Sequence, residues 1–194
     1  MNANAAIQHT AMNSVPDQPL IADHPEIPRE LALQGFEGVR AYARNPDLRT
    51  APFLDALGFE RAADRFDTRG ETRGGWIEYD AAPDEPGIPG AGTVHHVAWS
   101  STMDDHDAWR RRVADAGGRP TDVIDRYWFR SIYFREPSGV LFEIATLGPG
   151  FATDKDPEHL LEKLIRPPAF EYLREKVEPL LTPLPDPRAD WAAR

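Results

Sequence analysis

Gly92-Thr-Val-His-His-Val-Ala-Trp99 and Val140-Leu-Phe-Glu-Ile-Ala-Thr146 open and close the stretch whose reading decides the fold. Both are short β-branched and aromatic runs bounded by glycine and polar residues, which is the composition of strands. Glu143 stands among apolar neighbours in the second run. An ionised carboxylate taken out of water is costly unless a cation or a hydrogen-bond donor meets it. A metal ion shared with a histidine would meet it. Imidazole nitrogen with carboxylate oxygen suits a divalent first-row ion, and two histidines plus one carboxylate with open positions is the facial arrangement of non-heme iron(II) oxygenases. If Thr93–Ser100 is one strand, side-chain alternation sends His95 and His96 to opposite faces, so only one can share a cavity with Glu143. The bland reading of the pair is packing, with ring nitrogens satisfied by backbone. Glu143, an acid in an apolar strand of the same module, is what favours a metal; the spacing from His96 to Glu143 is no local motif and carries little by itself.

Between the two runs, a helix capped near Ser101 or Asp104 carries Trp109, Val113 and Ala116 and stops at Gly117-Gly118. Strands follow near Val123–Phe129, Ser131–Arg135 and Gly139–Thr146, with Glu136-Pro-Ser-Gly139 as the last turn. The same pattern precedes it. Gly35–Tyr42 alternates like a half-buried strand, Asn45-Pro46 begins a helix bearing Phe53, Leu54 and Leu57, and Gly58 ends it. Phe59–Phe66 and Gly75–Tyr79 then read as strands around a polar turn. The simplest account is an α+β fold of two tandem βαβββ modules, at 33–82 and 92–150, joined by a linker at 83–91. Residues 1–32 read as a flexible arm or a remnant of a longer protein, containing His9 and His24, both expected in solvent. Residues 151–194 read as a helical extension and tail. In it Asp156-Pro157 caps a short helix through Leu164, and Pro168 begins another with Phe170, Leu173, Val177 and Leu180 on one face.

The 194 residues are 41% hydrophobic, enough for a real core. A net charge of -10 leaves no basic surface for a phosphate backbone, so nucleic acid is discarded as a partner. Without cysteine there is no disulfide, thiolate zinc site or cysteine nucleophile, and a metal must be held by histidine and carboxylate. No long apolar run or leader pattern is present, so no membrane partner is expected and the expected location is the cytoplasm. The 19 prolines gather at 16–28, 83–89 and 167–187, which marks arms and linkers.

Arg126-Tyr-Trp-Phe-Arg-Ser-Ile-Tyr133-Phe-Arg135 is dense in aromatics and arginines for two adjoining strands. It reads as a pocket wall in which Tyr133 is placed to donate a hydrogen bond or proton and Arg126 to stabilise an anion. The alternative is a core of aromatics with arginines answering Asp122, Asp125 or Glu136. His106 and His159 sit in charged helical segments and read as solvated.

The Gly92–Trp99 run, the Asp125–Thr146 block and Gly148-Pro-Gly-Phe151 together resemble the vicinal oxygen chelate superfamily. They are most similar to its branch of ring-cleaving dioxygenases that open hydroquinones. The resemblance runs from about Gly35 to Leu181. It implies a cup built from βαβββ modules and a divalent metal, Fe(II) in that branch, with Mn(II) or Zn(II) as other candidates. It implies His96 and Glu143 as metal ligands, with His95, Arg126 and Tyr133 on the substrate side, and an aromatic substrate and dioxygen as partners. Members of the branch are roughly twice as long and take a further histidine ligand from their first module, whereas this chain is similar to their second half. Its own first module has Gly38, beside Glu37, where the second has His96. A half-length subunit completed by an identical or different chain is the expectation that follows. Two other readings remain: a glyoxalase-like lyase or isomerase in which Glu37 or water fills the missing position, and a module that binds small aromatics without turnover.

Overall fold

The computed structural model describes residues 3–6, 21, 23–24, 26–43, 48–70, 73–85, 87–90, 92–160 and 162–183. Strands are numbered in chain order from β1 (Ala3–Ala6). The first module then runs β2 (Gly38–Ala43), α1 (Thr50–Ala56), β3 (Glu60–Ala62), β4 (Arg65–Arg69) and β5 (Gly74–Ala81). The second runs β6 (Val97–Ser101), α2 (His106–Asp115), β7 (Ile124–Asp125), β8 (Arg130–Arg135) and β9 (Leu141–Thr146).

The two modules share one topology. Their sheets are ordered β2-β5-β4-β3 and β6-β9-β8-β7, with the first and last strands of each module parallel and the other pairs antiparallel. β1 adds a parallel edge strand beside β6. The expected α+β repeat of βαβββ units is therefore observed, with both helices ending as read: Gly58 and Gly117 take φ of 89° and 90°, where a side chain would be strained.

One core serves both modules. Phe53, Leu54, Leu57, Phe59 and Ile77 from the first pack with Trp99, Trp109, Val113, Ile132, Phe134, Phe142 and Ile144 from the second. Phe59 meets Trp99 edge-on at 4.9 Å between centroids, and Phe53 lies 6.0 Å from Phe134. Burial of this apolar area is the main stabilising term, and it ties each module to the other.

Several boundaries move, each for a local reason. The run Phe59–Phe66 is two strands rather than one, because Ala63 takes φ 57° and turns the chain into a hairpin. The strand expected at Val123–Phe129 is only Ile124–Asp125: the Asp125 carboxylate accepts the Tyr127 N–H at 2.7 Å and Tyr127 adopts φ 72°, a local turn that competes with the ladder. α1 begins at Thr50, and Asn45-Pro46 lies outside the described residues. Asp156 does cap a helical turn, accepting the Glu158 N–H at 3.1 Å, but that turn ends at His159 instead of Leu164. From Pro168 the chain makes 3-10 turns around the short α3 (Arg174–Val177), with Phe170 and Leu180 left exposed. Among the described residues no helix is long and apolar enough to cross a membrane.

Candidate metal centre

Period-two alternation sorts β8 and β9 into a core face and a cup face. Ile132, Phe134, Phe142 and Ile144 enter the core, which leaves Ser131, Tyr133 and Glu143 together on the other side. Tyr133 pairs across the ladder with Glu143, and Glu143 pairs with Ala98 of β6. His96, just before β6, reaches the same side, where its ring meets Glu143.

Glu143 is 4% exposed and its two oxygens are used differently. Oε1 accepts from the Tyr133 hydroxyl at 2.7 Å and from the Ser131 hydroxyl in a short bond. Oε2 lies 2.7 Å from His96 Nε2. The carboxylate is thus fixed on one side by two hydroxyls, while the other side converges with a ring nitrogen. That donor set, one carboxylate oxygen with one imidazole nitrogen, suits a divalent first-row cation and supplies two of the ligands such an ion needs.

The two histidines do not split between faces. Strand β6 begins only at Val97, so His95 and His96 precede the ladder and escape its alternation. Their Nδ1 atoms lie 3.0 Å apart and their rings meet edge to face. One nitrogen must donate and the other accept. If His96 Nε2 serves as a ligand, its proton sits on Nδ1 and His95 Nδ1 accepts it, so His95 fixes both tautomer and ring orientation. His95 is exposed and His96 half-buried.

Tyr133 stacks edge-on to His96 with ring centroids 5.6 Å apart. Burial first, and then the hydrogen bond to Glu143, raise its phenol above the ordinary value, so it stays a proton donor. The Arg126 guanidinium sits 5.7 Å from the Tyr133 ring centre, with Nη2 3.5 Å from the hydroxyl. Arg126 therefore faces the site, and the pairing of arginines with Asp122, Asp125 and Glu136 takes another form. Asp122 is taken by Arg110, and Glu136 is buried and accepts the Ser138 and Val140 backbone N–H groups.

Among the described residues no group of three histidine, aspartate or glutamate side chains is placed to hold a metal ion. The first module explains why none comes from it. A Cβ on Gly38 would lie 2.1 Å from the Trp76 ring, so the indole covers the position at which a histidine would stand. Glu37 is exposed. His9 lies outside the described residues, and His24 Nδ1 accepts the Glu26 N–H.

The sequence reading misplaced His106. It is 2% exposed, its Nδ1 lies 2.9 Å from Ser101 Oγ, and burial pushes its pKa down. The signal was available, since His106 falls three residues before Trp109 and seven before Val113, on the buried helical face. Ser131 was also missed as a site residue; its alternation with Tyr133 could have found it.

A family profile described as the glyoxalase/bleomycin resistance protein/dioxygenase superfamily matches residues 49–144. The chain is 40% identical over 165 residues to MhqO of Bacillus subtilis (strain 168), named as a candidate ring-cleaving dioxygenase, covering 81% of this chain and 52% of that protein. It is 33% identical over 178 residues to the chlorohydroquinone/hydroquinone 1,2-dioxygenase of Sphingobium indicum, covering 85% of this chain and 53% of the relative. A crystal structure of a candidate dioxygenase from Bacillus subtilis superposes with a TM-score of 0.74 at 36% identity, over 87% of this chain and 56% of that one. The chain spans about half the length of these relatives.

Proposed function

Because the chain belongs to the glyoxalase/bleomycin resistance protein/dioxygenase superfamily, we propose that it is a half-length subunit of a metal-dependent, ring-cleaving dioxygenase acting on hydroquinone- or catechol-like aromatics. The observation that carries this reading is Glu143, a buried carboxylate with one oxygen locked by Ser131 and Tyr133 and the other facing His96 Nε2. His96 and Glu143 are the protein ligands this chain offers, and a second chain, identical or different, supplies the third. Iron(II), when bound, supplies the capacity to engage dioxygen and the ring oxygens at adjacent positions.

The remaining chemistry belongs to side chains. Ser131 and Tyr133 orient the carboxylate, and His95 holds His96 in the tautomer that presents Nε2. The Tyr133 hydroxyl, whose one proton Glu143 Oε1 otherwise accepts, turns to a ring oxygen on the His96 side to pass it a hydrogen bond or proton, and Ser131 then holds the carboxylate alone. Arg126 lies beside that hydroxyl and stabilises negative charge that develops there.

The test is oxygen uptake by iron-loaded protein with hydroquinone and with catechol, in the presence and absence of candidate partner chains. Uptake coupled to loss of the aromatic chromophore is expected. Turnover of a substrate without oxygen consumption would overturn the dioxygenase reading in favour of lyase or isomerase chemistry.

A further inference from the structure

Gly148-Pro-Gly-Phe151 is a stretch of the family resemblance that the metal chemistry leaves unused. It packs against the hairpin that joins β7 to β8. The Gly150 N–H donates to the Trp128 carbonyl at 2.8 Å, and Phe151 stacks on the Trp128 ring with centroids 5.3 Å apart. Three residues further on, Asp154 Oδ1 accepts the Trp128 indole N–H at 2.9 Å, while Oδ2 meets Lys155 Nζ. Trp128 is buried, and its carbonyl, its indole N–H and a face of its ring are all taken by this one segment.

The hairpin tip needs holding. The β7–β8 ladder ends at Asp125 and Arg130, the Arg126 N–H donates to the Phe129 carbonyl at 2.8 Å, and Tyr127 and Trp128 make the turn. Tyr127 stands at φ 72°, at a turn position where glycine or asparagine is the usual occupant. A side chain held in that region costs energy and persists only where its surroundings over-determine it. Asp125 Oδ1 accepts the Tyr127 N–H from within the turn, and Phe151 and Asp154 hold the next residue from outside. The residue on the other side of Tyr127 is Arg126, whose guanidinium lies over the Tyr133 ring. Arg126 is exposed and its contact with the Tyr133 hydroxyl is long, at 3.5 Å, so its place depends on the backbone that carries it.

We infer that Trp128 and Asp154 are positioning residues: their hydrogen bond pins the strained hairpin tip and so keeps Arg126 at the Tyr133 hydroxyl, where it answers charge developing on a ring oxygen. The inference rests on the ring-cleavage reading of the metal centre. Neither residue acts on the substrate directly. Releasing the indole lets the turn at Tyr127 relax and carries the Arg126 guanidinium away from Tyr133. The loss falls on kcat, since the charge that Arg126 answers develops in the transition state, and metal binding by His96 and Glu143 is untouched.

The test compares Asp154→Ala and Trp128→Phe, each of which removes the hydrogen bond, with Asp154→Asn, whose amide oxygen still accepts it. In the metal-free full-length chain, the Arg126 Nε–H resonance, identified by its absence from Arg126→Lys, reports the neighbouring Tyr133 ring. Asp154→Ala and Trp128→Phe are expected to move it towards its position in Tyr133→Leu, which lacks the ring, and Asp154→Asn to leave it in place. An unmoved resonance in Asp154→Ala or in Trp128→Phe would overturn the clamp. Kinetics of the iron-loaded protein with its partner chain give the second reading. There kcat should fall about tenfold in Asp154→Ala, as for one lost hydrogen bond to a charged acceptor, with KM and metal content unchanged. Asp154→Asn should recover most of that loss, and adding Asp154→Ala to Arg126→Gln should cost nothing further. A full second loss in the double variant would show that Asp154 acts independently of Arg126 and overturn the assignment. The resonance comparison needs no turnover, so a resonance that moves as expected in a chain that cleaves no ring would count for the clamp and against the proposed function.

Discussion

Glu143→Gln separates the metal site from the fold. The amide keeps the length of the side chain, and its oxygen can still accept from Ser131 and Tyr133. A hydrogen bond to a charged acceptor is worth about 1.5–3 kcal/mol and a neutral one about 1 kcal/mol, so two weakened bonds cost roughly 1–4 kcal/mol. Removing a buried charge returns a desolvation penalty of several kcal/mol, which opposes that loss. Metal-free stability should therefore move by no more than about 2 kcal/mol. Metal affinity behaves differently. Loss of an outer-shell partner already costs about 10–100-fold, so loss of the anionic ligand itself should cost at least about 100-fold. Thermal unfolding with and without metal reads both quantities. At a metal concentration about 100 times the wild-type Kd, the wild-type chain gains about 2.7 kcal/mol and the variant about 0.4 kcal/mol. For a chain of this size that is a rise in Tm of roughly 5–10 °C against roughly 1 °C. A variant that keeps the full metal-dependent rise would refute Glu143 as a ligand.

Three further outcomes follow from particular residues. Tyr133→Phe removes the hydroxyl 2.7 Å from Glu143 while Ser131 still holds the carboxylate; metal affinity should fall by up to about 10–100-fold, and kcat for ring cleavage at saturating metal should still fall on the order of 100-fold or more, which metal titration beside steady-state kinetics checks. Burial keeps His106 neutral in the fold, whereas an unfolded histidine takes up a proton below about pH 6.5. The unfolded state therefore binds more protons in that range, and stability should fall as pH drops below about 6.5 until the lowered folded pKa is reached; denaturant titrations across that window should show a flatter slope in His106→Gln. Trp99→Ala deletes a fully buried ring that touches Phe59 of the other module and should cost about 3–5 kcal/mol, seen as a single transition shifted down on the order of 10 °C. Two separated transitions would show that the shared core does not couple the modules.

The repeat was legible because strand and helix periodicity, with glycine stops after each helix, are local signals. Glu143 was legible because a lone acid in Leu-Phe-Glu-Ile-Ala breaks an apolar run, and it does prove buried. The positions of His95 and His96 were not legible from periodicity, because the ladder begins one residue later and alternation applies only within it. The shortening of β7 was hidden for a similar reason, since a side-chain turn at Asp125 outcompetes β propensity over three aromatic residues. His106 was misread from its charged neighbours, although its helical spacing to Trp109 and Val113 placed it on the core face. Nothing local in the sequence reveals that Trp76 covers Gly38, because that contact depends on the register between β2 and β5.

The most direct measurement is the metal content per chain of tag-free protein prepared without chelator, taken on the same sample that is sized by chromatography. The account predicts close to one divalent ion, chiefly iron, per completed site in an oligomer or in a complex with a partner chain. A folded, monomeric chain that carries no metal and gains none when iron(II) and candidate partner chains are supplied would contradict it.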